Sequence, residues 1–287
     1  MKADSPWSAA IADDDQHAAL GAYQESLPVV LIATPRSRFR TCGMDDHLSE
    51  VLETYEHEKF DHLPVIAADG SIVGILALAG HEGRMPVRDC MEPLSDVHLI
   101  GADSSILGFI RKADGNPFRL VVSADGISGL VSLSDLQQLP VRAALFAMVT
   151  HLEMLMAENI RLRFRGPEEW LALLKSGRRN KLLVEIEKGK RDDSFVDSVL
   201  FTQFCDKREI LATLDPWNRP ESQWTPAMVR IEALRNALAH ANEYAADRNA
   251  ARRVCEDVRT MDLWIGQLAH RVSAEGAGSE VTETRGA

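Results

Sequence analysis

The chain has 287 residues, 45% of them hydrophobic and 26% charged, with a formal net charge of −11. That length predicts two domains, and the mix is that of a soluble globular protein rather than a fibrous, collagenous or disulfide-scaffold chain. The acidic balance argues against a generic nucleic-acid binder. The unbroken apolar runs, such as Val29 to Ala33, are far shorter than a membrane span, so no membrane is expected. Asp13, Asp14 and Asp15 stand where a secretory signal would carry its apolar core, which predicts a cytoplasmic protein. Cys42, Cys90, Cys205 and Cys255 are scattered without a CxxC pair, which predicts reduced thiols and no metal site.

Charge is unevenly placed. Residues 1–140 hold ten Lys and Arg against 21 Asp and Glu, whereas residues 141–287 hold 22 of each. Residues 1–24 are rich in Ala, Asp and Ser without an apolar period and are expected to be mobile. Then comes a tandem. Residues 63–78 (LPVIAADGSIVGILAL) and 119–133 (RLVVSADGISGLVSL) each read as strand, Ala-Asp-Gly turn and strand. An amphipathic helix precedes each hairpin: Leu48, Val51, Leu52 and Tyr55 share one stripe, and Ile106, Phe109, Ile110 and Ala113 the other. Neither unit can bury both faces of so small a sheet, so the two are expected to pack together. His47, His57, His62, His81 and His98 show no metal-ligand spacing and read as ordinary surface residues.

This tandem, residues 25–139, resembles a pair of cystathionine-β-synthase-type (CBS) domains. The resemblance rests on both hairpins, on Gly74 and Gly129, and on the linker Val87-Arg88-Asp89-Cys90-Met91-Glu92-Pro93. It implies a regulatory site for an adenine nucleotide: ATP, ADP or AMP. The family's Gly-x-x-Ser/Thr-x-x-Asp ending is intact in the second unit as Gly129, Ser132 and Asp135, a hydroxyl for phosphate and a carboxylate for ribose. In the first unit the matching positions are Ala77 and Gly80, so the resemblance places the ligand at the second unit. Capping of the next helix accounts for Ser132 and Asp135 equally well.

From residue 140 onward only helical spacing is found. Helices are expected over residues 141–163, from Pro167, over 179–190 and 195–213, from an N-cap at Thr225 through Asn242, and over 247–271. Pro216, Pro220 and Pro226 are expected to punctuate a loop that holds Trp217 and Trp224, and residues 273–287 are expected in a disordered tail. The fold class is therefore α+β: a tandem helix–strand–strand pair followed by an all-α domain over 140–272. Residues 161–191 carry ten basic side chains against four acidic ones, among them Arg161, Arg163, Arg165, Arg178, Arg179 and Lys181.

In the stretch IEALRNALAHA, Ile231, Leu234, Leu238 and Ala241 form an apolar stripe, with Glu232, Asn236 and His240 four apart on the other face. By spacing this is an amphipathic helix with a Glu232–Arg235 pair. Arg235-Asn236-Ala237-Leu238-Ala239-His240 also resembles the Arg-x4-6-His signature of HEPN domains. That resemblance implies a homodimeric, metal-independent ribonuclease. His240 would be the general acid or base, Arg235 the phosphate clamp and Asn236 an orienting group, with the basic stretch on the RNA backbone. It equally implies non-catalytic members that dimerise or bind RNA or protein partners, or serve as scaffolds in a larger assembly.

Overall fold

In a computed structural model, the described residues are 19, 21–23, 25–55, 61–81, 84–192, 197–214 and 221–283. The chain divides into two compact units. One is Leu27–Val141, and the other joins Arg142–Ala287 with the segment up to Ser26.

The first unit holds two four-stranded sheets. One runs β2 (Cys42–Gly43), β3 (His62–Ile66), β4 (Ile72–Ala77) and β5 (Glu92–Pro93). The other runs β1 (Thr34–Pro35), β8 (Gly126–Ser132), β7 (Phe118–Ser123) and β6 (Leu99–Gly101). The hairpins β3–β4 and β7–β8 are the two Ala-Asp-Gly repeats. Gly70 and Gly126 turn the chain at φ +81 and +98, a conformation that a Cβ would strain. Asp69 Oδ1 accepts bonds from the Ser71 amide (2.9 Å) and hydroxyl (2.6 Å), which tightens the first turn.

The sheets are laced together by short edge strands. β5, from the linker, lies against β4, and β1, from before the first repeat, lies against β8. This explains the two glycines the repeats share. A Cβ on Gly74 would sit 2.6 Å from the Glu92 carbonyl oxygen, and one on Gly129 would sit 2.8 Å from that of Thr34. Helices α1 (Leu48–Tyr55) and α2 (Ile106–Ile110) carry the expected stripes. Leu48, Ile106, Phe109, Ile110 and Ala113 are all at most 2% exposed. The repeats share a core, with Ile72 and Ile75 of the first packed with Phe118 and Leu120 of the second. Each such side chain contributes about 1.5–3 kcal/mol through burial.

From Leu139 onward the described residues form six α-helices: α3 (Leu139–Arg163, its first turn in the sheet unit), α4 (Pro167–Leu171), α5 (Ser176–Asp192), α6 (Phe204–Ala212), α7 (Glu221–Ala239) and α8 (Arg248–Glu283). Contrary to the expectation from consecutive apolar runs, α3 is long and apolar enough to cross a membrane by length and composition. Its polar residues interrupt every run, which hid this. Half of that stretch is buried within the protein: Leu145, Met148, Val149, Leu152, Leu155 and Met156 are at most 1% exposed. The buried Asn159 amide donates to Leu268 O at 3.2 Å and so ties α3 to α8.

Several expected boundaries move. The 195–213 stretch breaks into a 3-10 turn, Ser198–Phe201, and α6, because the Gln203 amide finds the Asp206 carboxylate (2.7 Å) in a capping box. Thr225 does not begin a helix: α7 starts at Glu221, and Pro226 lies inside it, where its missing N–H removes one helical bond. The α7 helix ends three residues before Asn242. α8 continues to Glu283 rather than stopping at 271, since extending a formed helix adds a hydrogen bond per residue without the cost of a new nucleus. The described residues of the expected mobile segment, 19 and 21–23, are helical. Pro216, Trp217, Pro220 and His57 lie outside the described residues.

Candidate functional site

A cleft of about 200 Å³ opens in the sheet unit. The segment around β1 supplies Thr34, Arg38, Phe39 and Arg40; the start of β3 supplies Asp61, His62 and Leu63. β7 and β8 supply Phe118, Leu130 and Ser132, and the 3-10 helix Leu133–Gln137 supplies Leu133, Ser134 and Asp135. The edge strand β1 thus brings a segment that lies about a hundred residues upstream beside the ending of the second repeat.

Ser132 and Asp135 meet there, and both serve as caps. Asp135 Oδ2 accepts from the Ser132 amide (2.7 Å) and hydroxyl (3.2 Å), and the Ser132 side chain in turn caps the 3-10 helix. Asp135 Oδ1 accepts from the Gln138 amide at 2.8 Å, and the same amide donates to Ile32 O at 2.8 Å. Burial pushes the Asp135 carboxyl above the usual carboxylate range, while the hydrogen bonds from Ser132 and Gln138 pull it down. A carboxylate oxygen accepts two bonds. Oδ1 therefore has one acceptor position left, so the group can take one ribose hydroxyl rather than two at no cost to the cap. The Ser132 and Ser134 hydroxyls lie 2.7 Å apart.

Gly129, expected as a ligand contact, is instead the point where β8 admits the backbone of β1, and it does not line the cleft. His62, expected as ordinary surface, lines the cleft and stacks on Phe118 with ring centroids 5.5 Å apart. Arg38, Phe39, Arg40, Asp61 and His62 carried no expectation of a site. One sequence signal was present: three of the ten basic residues of 1–140 fall at 36, 38 and 40.

In the helical unit, Arg235 and Asn236 lie in the last turns of α7 and His240 directly follows its end, its backbone amide donating to Asn236 O at 3.0 Å. Arg235 Nη1 donates to Asn236 Oδ1 at 3.3 Å. Arg235 does not pair with Glu232, which takes Arg208 at 2.6 Å; its own partner is Glu153 of α3, at 3.7 Å. Glu153 is held in turn by the buried Lys207 at 3.0 Å. Asn236 and His240 are exposed, and the His240 ring has no hydrogen bond among the described residues.

The six basic residues of the 161–191 stretch divide. Arg161 is bound to Glu158 and Asp197, and Arg178 bidentately to Asp206, so their charge is spent inside the fold. Arg163, Arg165, Arg179 and Lys181 have no side-chain ion pair among the described residues. No three His, Cys, Asp or Glu side chains among the described residues are arranged to hold a metal ion.

Residues 31–79 match the CBS domain family, so a CBS domain occupies that stretch. No curated protein matches the chain. Among solved structures, the CBS domain of a bacterial CNNM/CorC-family Mg2+ transporter in complex with ATP is 20% identical, with 45% of this chain and 96% of that chain covered and a TM-score of 0.35. CBSX2 in complex with AMP is 22% identical over 42% of this chain and 96% of that chain, with a TM-score of 0.34. The CBS domains of a transcriptional regulator from Streptococcus pneumoniae are 16% identical over 38% and 95%, with a TM-score of 0.33.

Proposed function

We propose that residues 25–139 act as a paired CBS-type regulatory module that binds an adenine nucleotide in the cleft beside Ser132, and that the helical domain over 140–272 is the effector it governs in the cytoplasm. One observation carries this reading: apolar walls (Phe39, Leu63, Phe118), hydroxyls (Thr34, Ser132, Ser134) and carboxylates (Asp61, Asp135) line one cleft. A base needs the first, a phosphate the second and a ribose the third. α3 begins two residues after the 3-10 helix that carries Asp135, so a ligand that favours one setting of that helix biases the start of α3.

The test is a thermal-shift titration of the full chain with ATP, ADP and AMP. A ligand at a hundred times its Kd stabilises the folded form by about 2.7 kcal/mol. Asp135→Asn keeps one acceptor oxygen, which can still take the Ser132 amide, and is expected to bind more weakly. Binding that does not change on filling the cleft, by Ser132→Phe, sinks the proposal.

A second reading of the helical domain is a metal-independent ribonuclease working as a homodimer. It is favoured by the Arg235–Asn236 bond near the end of α7 and by the exposed His240 that directly follows that helix. His240 would move the 2′-hydroxyl proton and Arg235 would offset charge on the phosphate, the second histidine coming from the partner copy. RNA would lie along Arg163, Arg165, Arg179 and Lys181. Cleavage of labelled RNA in EDTA, abolished by His240→Ala and by Arg235→Ala, supports it. Intact RNA with the wild-type dimer leaves the helical domain as a non-catalytic binding or dimerisation module.

A further inference from the structure

We propose that the cleft selects nucleotides carrying two or three phosphates over AMP and adenosine, with Arg38 and Arg40 as the phosphate ligands. This rests on the nucleotide reading of the cleft and goes beyond it by naming the ligand class.

Several cations of the sheet unit are held by groups of the fold. Arg36 donates to Gly70 O at 2.8 Å and bridges toward the second hairpin at Ile127 O. Arg88 pairs with Asp45 at 3.0 Å, and Arg119 donates to Leu99 O at 3.2 Å. Arg38 and Arg40 differ from these. Both line the cleft, both are exposed, and neither guanidinium has a hydrogen bond or ion pair among the described residues. Residues 1–140 hold more than twice as many acids as bases, and the cleft itself is lined by the carboxylates Asp61 and Asp135. Two arginines that nevertheless stay unpaired among the described residues at one cleft concentrate positive potential there.

The local backbone explains why both face the same space. Residues 36–39 form a turn closed by the Arg38 amide on Pro35 O at 2.8 Å, directly after β1 is pinned to β8. Phe39 between them also lines the cleft, so an aromatic wall stands between two planar donor forks.

The negative groups of the cleft do not satisfy these cations. Asp135 already accepts from Ser132 and Gln138, and among the described residues no ion pair joins Arg38 or Arg40 to Asp135 or to Asp61, the other carboxylate in the lining. A guanidinium binds a phosphate through two parallel N–H···O bonds, so two of them match two phosphate groups. Adenosine would leave both without a counter-charge. AMP offers one phosphate, whereas ADP and ATP offer a separate group to each.

The experiment is calorimetric titration of the full chain with adenosine, AMP, ADP and ATP, at low and at high salt, for wild type, Arg38→Gln and Arg40→Gln. Both side chains are exposed and bond to nothing described, so the variants fold; circular dichroism checks this. ADP and ATP are expected to bind more tightly than AMP, and AMP more tightly than adenosine, with the gap narrowing as salt rises. Each substitution is expected to weaken ADP and ATP by about tenfold, the value of one charge-assisted contact, and to leave adenosine unchanged. AMP binding as tightly as ADP and ATP, or variants that weaken all four ligands alike, overturns the phosphate assignment and leaves the nucleotide reading standing. A folded wild type that binds none of the four overturns the nucleotide reading, and this inference with it.

Discussion

The guanidinium of Arg142, in the first turns of α3, lies over the ring of Tyr244 at 5.0 Å from its centroid and caps the end of α7. It donates to Ala237 O (3.0 Å), Leu238 O (3.1 Å) and Asn242 O (2.7 Å). Those carbonyls have no helical partner, because α7 stops at Ala239 and the chain reverses through Ala241 at φ 55. Asn242 N also reaches back to Ala237 O at 2.9 Å, the bond of a Schellman ending. A pair of residues about a hundred positions apart therefore holds the helix end that carries His240.

Arg142→Met is expected to destabilise the helical unit by about 1–3 kcal/mol, the cost of leaving charge-assisted acceptors unsatisfied. Ala241→Gly is expected to raise stability by about 1 kcal/mol, because glycine takes the left-handed conformation without a Cβ penalty. Urea unfolding followed by tryptophan fluorescence isolates this unit, since all five tryptophans lie outside residues 27–141. Faster amide exchange at residues 236–242 in Arg142→Met, with the rest of α7 unchanged, would identify the cap as the cause.

Asp257 gives the helical unit a pH dependence. It is 4% exposed, and burial raises its carboxyl to about 6 from an ordinary 3.8, against the pull of Arg230 at 3.0 Å. Below pH 3.8 the folded and unfolded chains both hold the proton. Between there and about 6 only the unfolded chain releases it, so stability falls as pH rises through that window and is level above it. The fall is at most about 3 kcal/mol. Asp257→Asn is expected to flatten it; fluorescence melts at pH 4, 5, 6 and 7 that keep the same slope in the variant would assign the dependence to another group.

Gly129→Ala tests the seam between β1 and β8. The added Cβ would meet the Thr34 carbonyl oxygen at 2.8 Å and Ala33 Cβ at 3.3 Å, so β1 has to move away. Overpacking of this kind costs about 1–3 kcal/mol. Because Thr34 lines the cleft, ligand affinity and the melting temperature are expected to fall together. A variant that binds normally and melts early would separate the seam from the cleft.

Lys207, 5% exposed, donates to Glu153 Oε1 (3.0 Å) and to Thr202 O (2.7 Å), and Glu153 also faces Arg235. Lys207→Met leaves a half-buried carboxylate short of one partner and is expected to cost about 3 kcal/mol, most of which Lys207→Met/Glu153→Leu restores. On the ribonuclease reading, with Arg235 positioned through Glu153, Glu153→Gln is expected to alter RNA binding with little loss of stability. Gel shifts beside urea melts distinguish the two effects.

Much of the architecture could be read from local pattern. Asp-Gly between apolar runs marked both hairpins, and helical spacing marked α1, α2, α3, α5 and α8, because each signal records how a residue meets neighbours a few positions away. Ser132 and Asp135 were found together for the same reason, although spacing left their capping and ligand roles equivalent. The edge strands β1, β2, β5 and β6 were not legible: two or three residues have no measurable period, and they form only because a hairpin from elsewhere in the chain offers unpaired backbone groups. Arg38, Phe39 and Asp61 join Asp135 through that pairing. Arg142 reaches Ala237, and Arg161 and Arg178 lose their apparent freedom to Asp197 and Asp206, through helix packing. A chain's periodicity specifies which face of each element is apolar, whereas which distant charges and carbonyls end up within hydrogen-bond reach depends on how those faces are brought together.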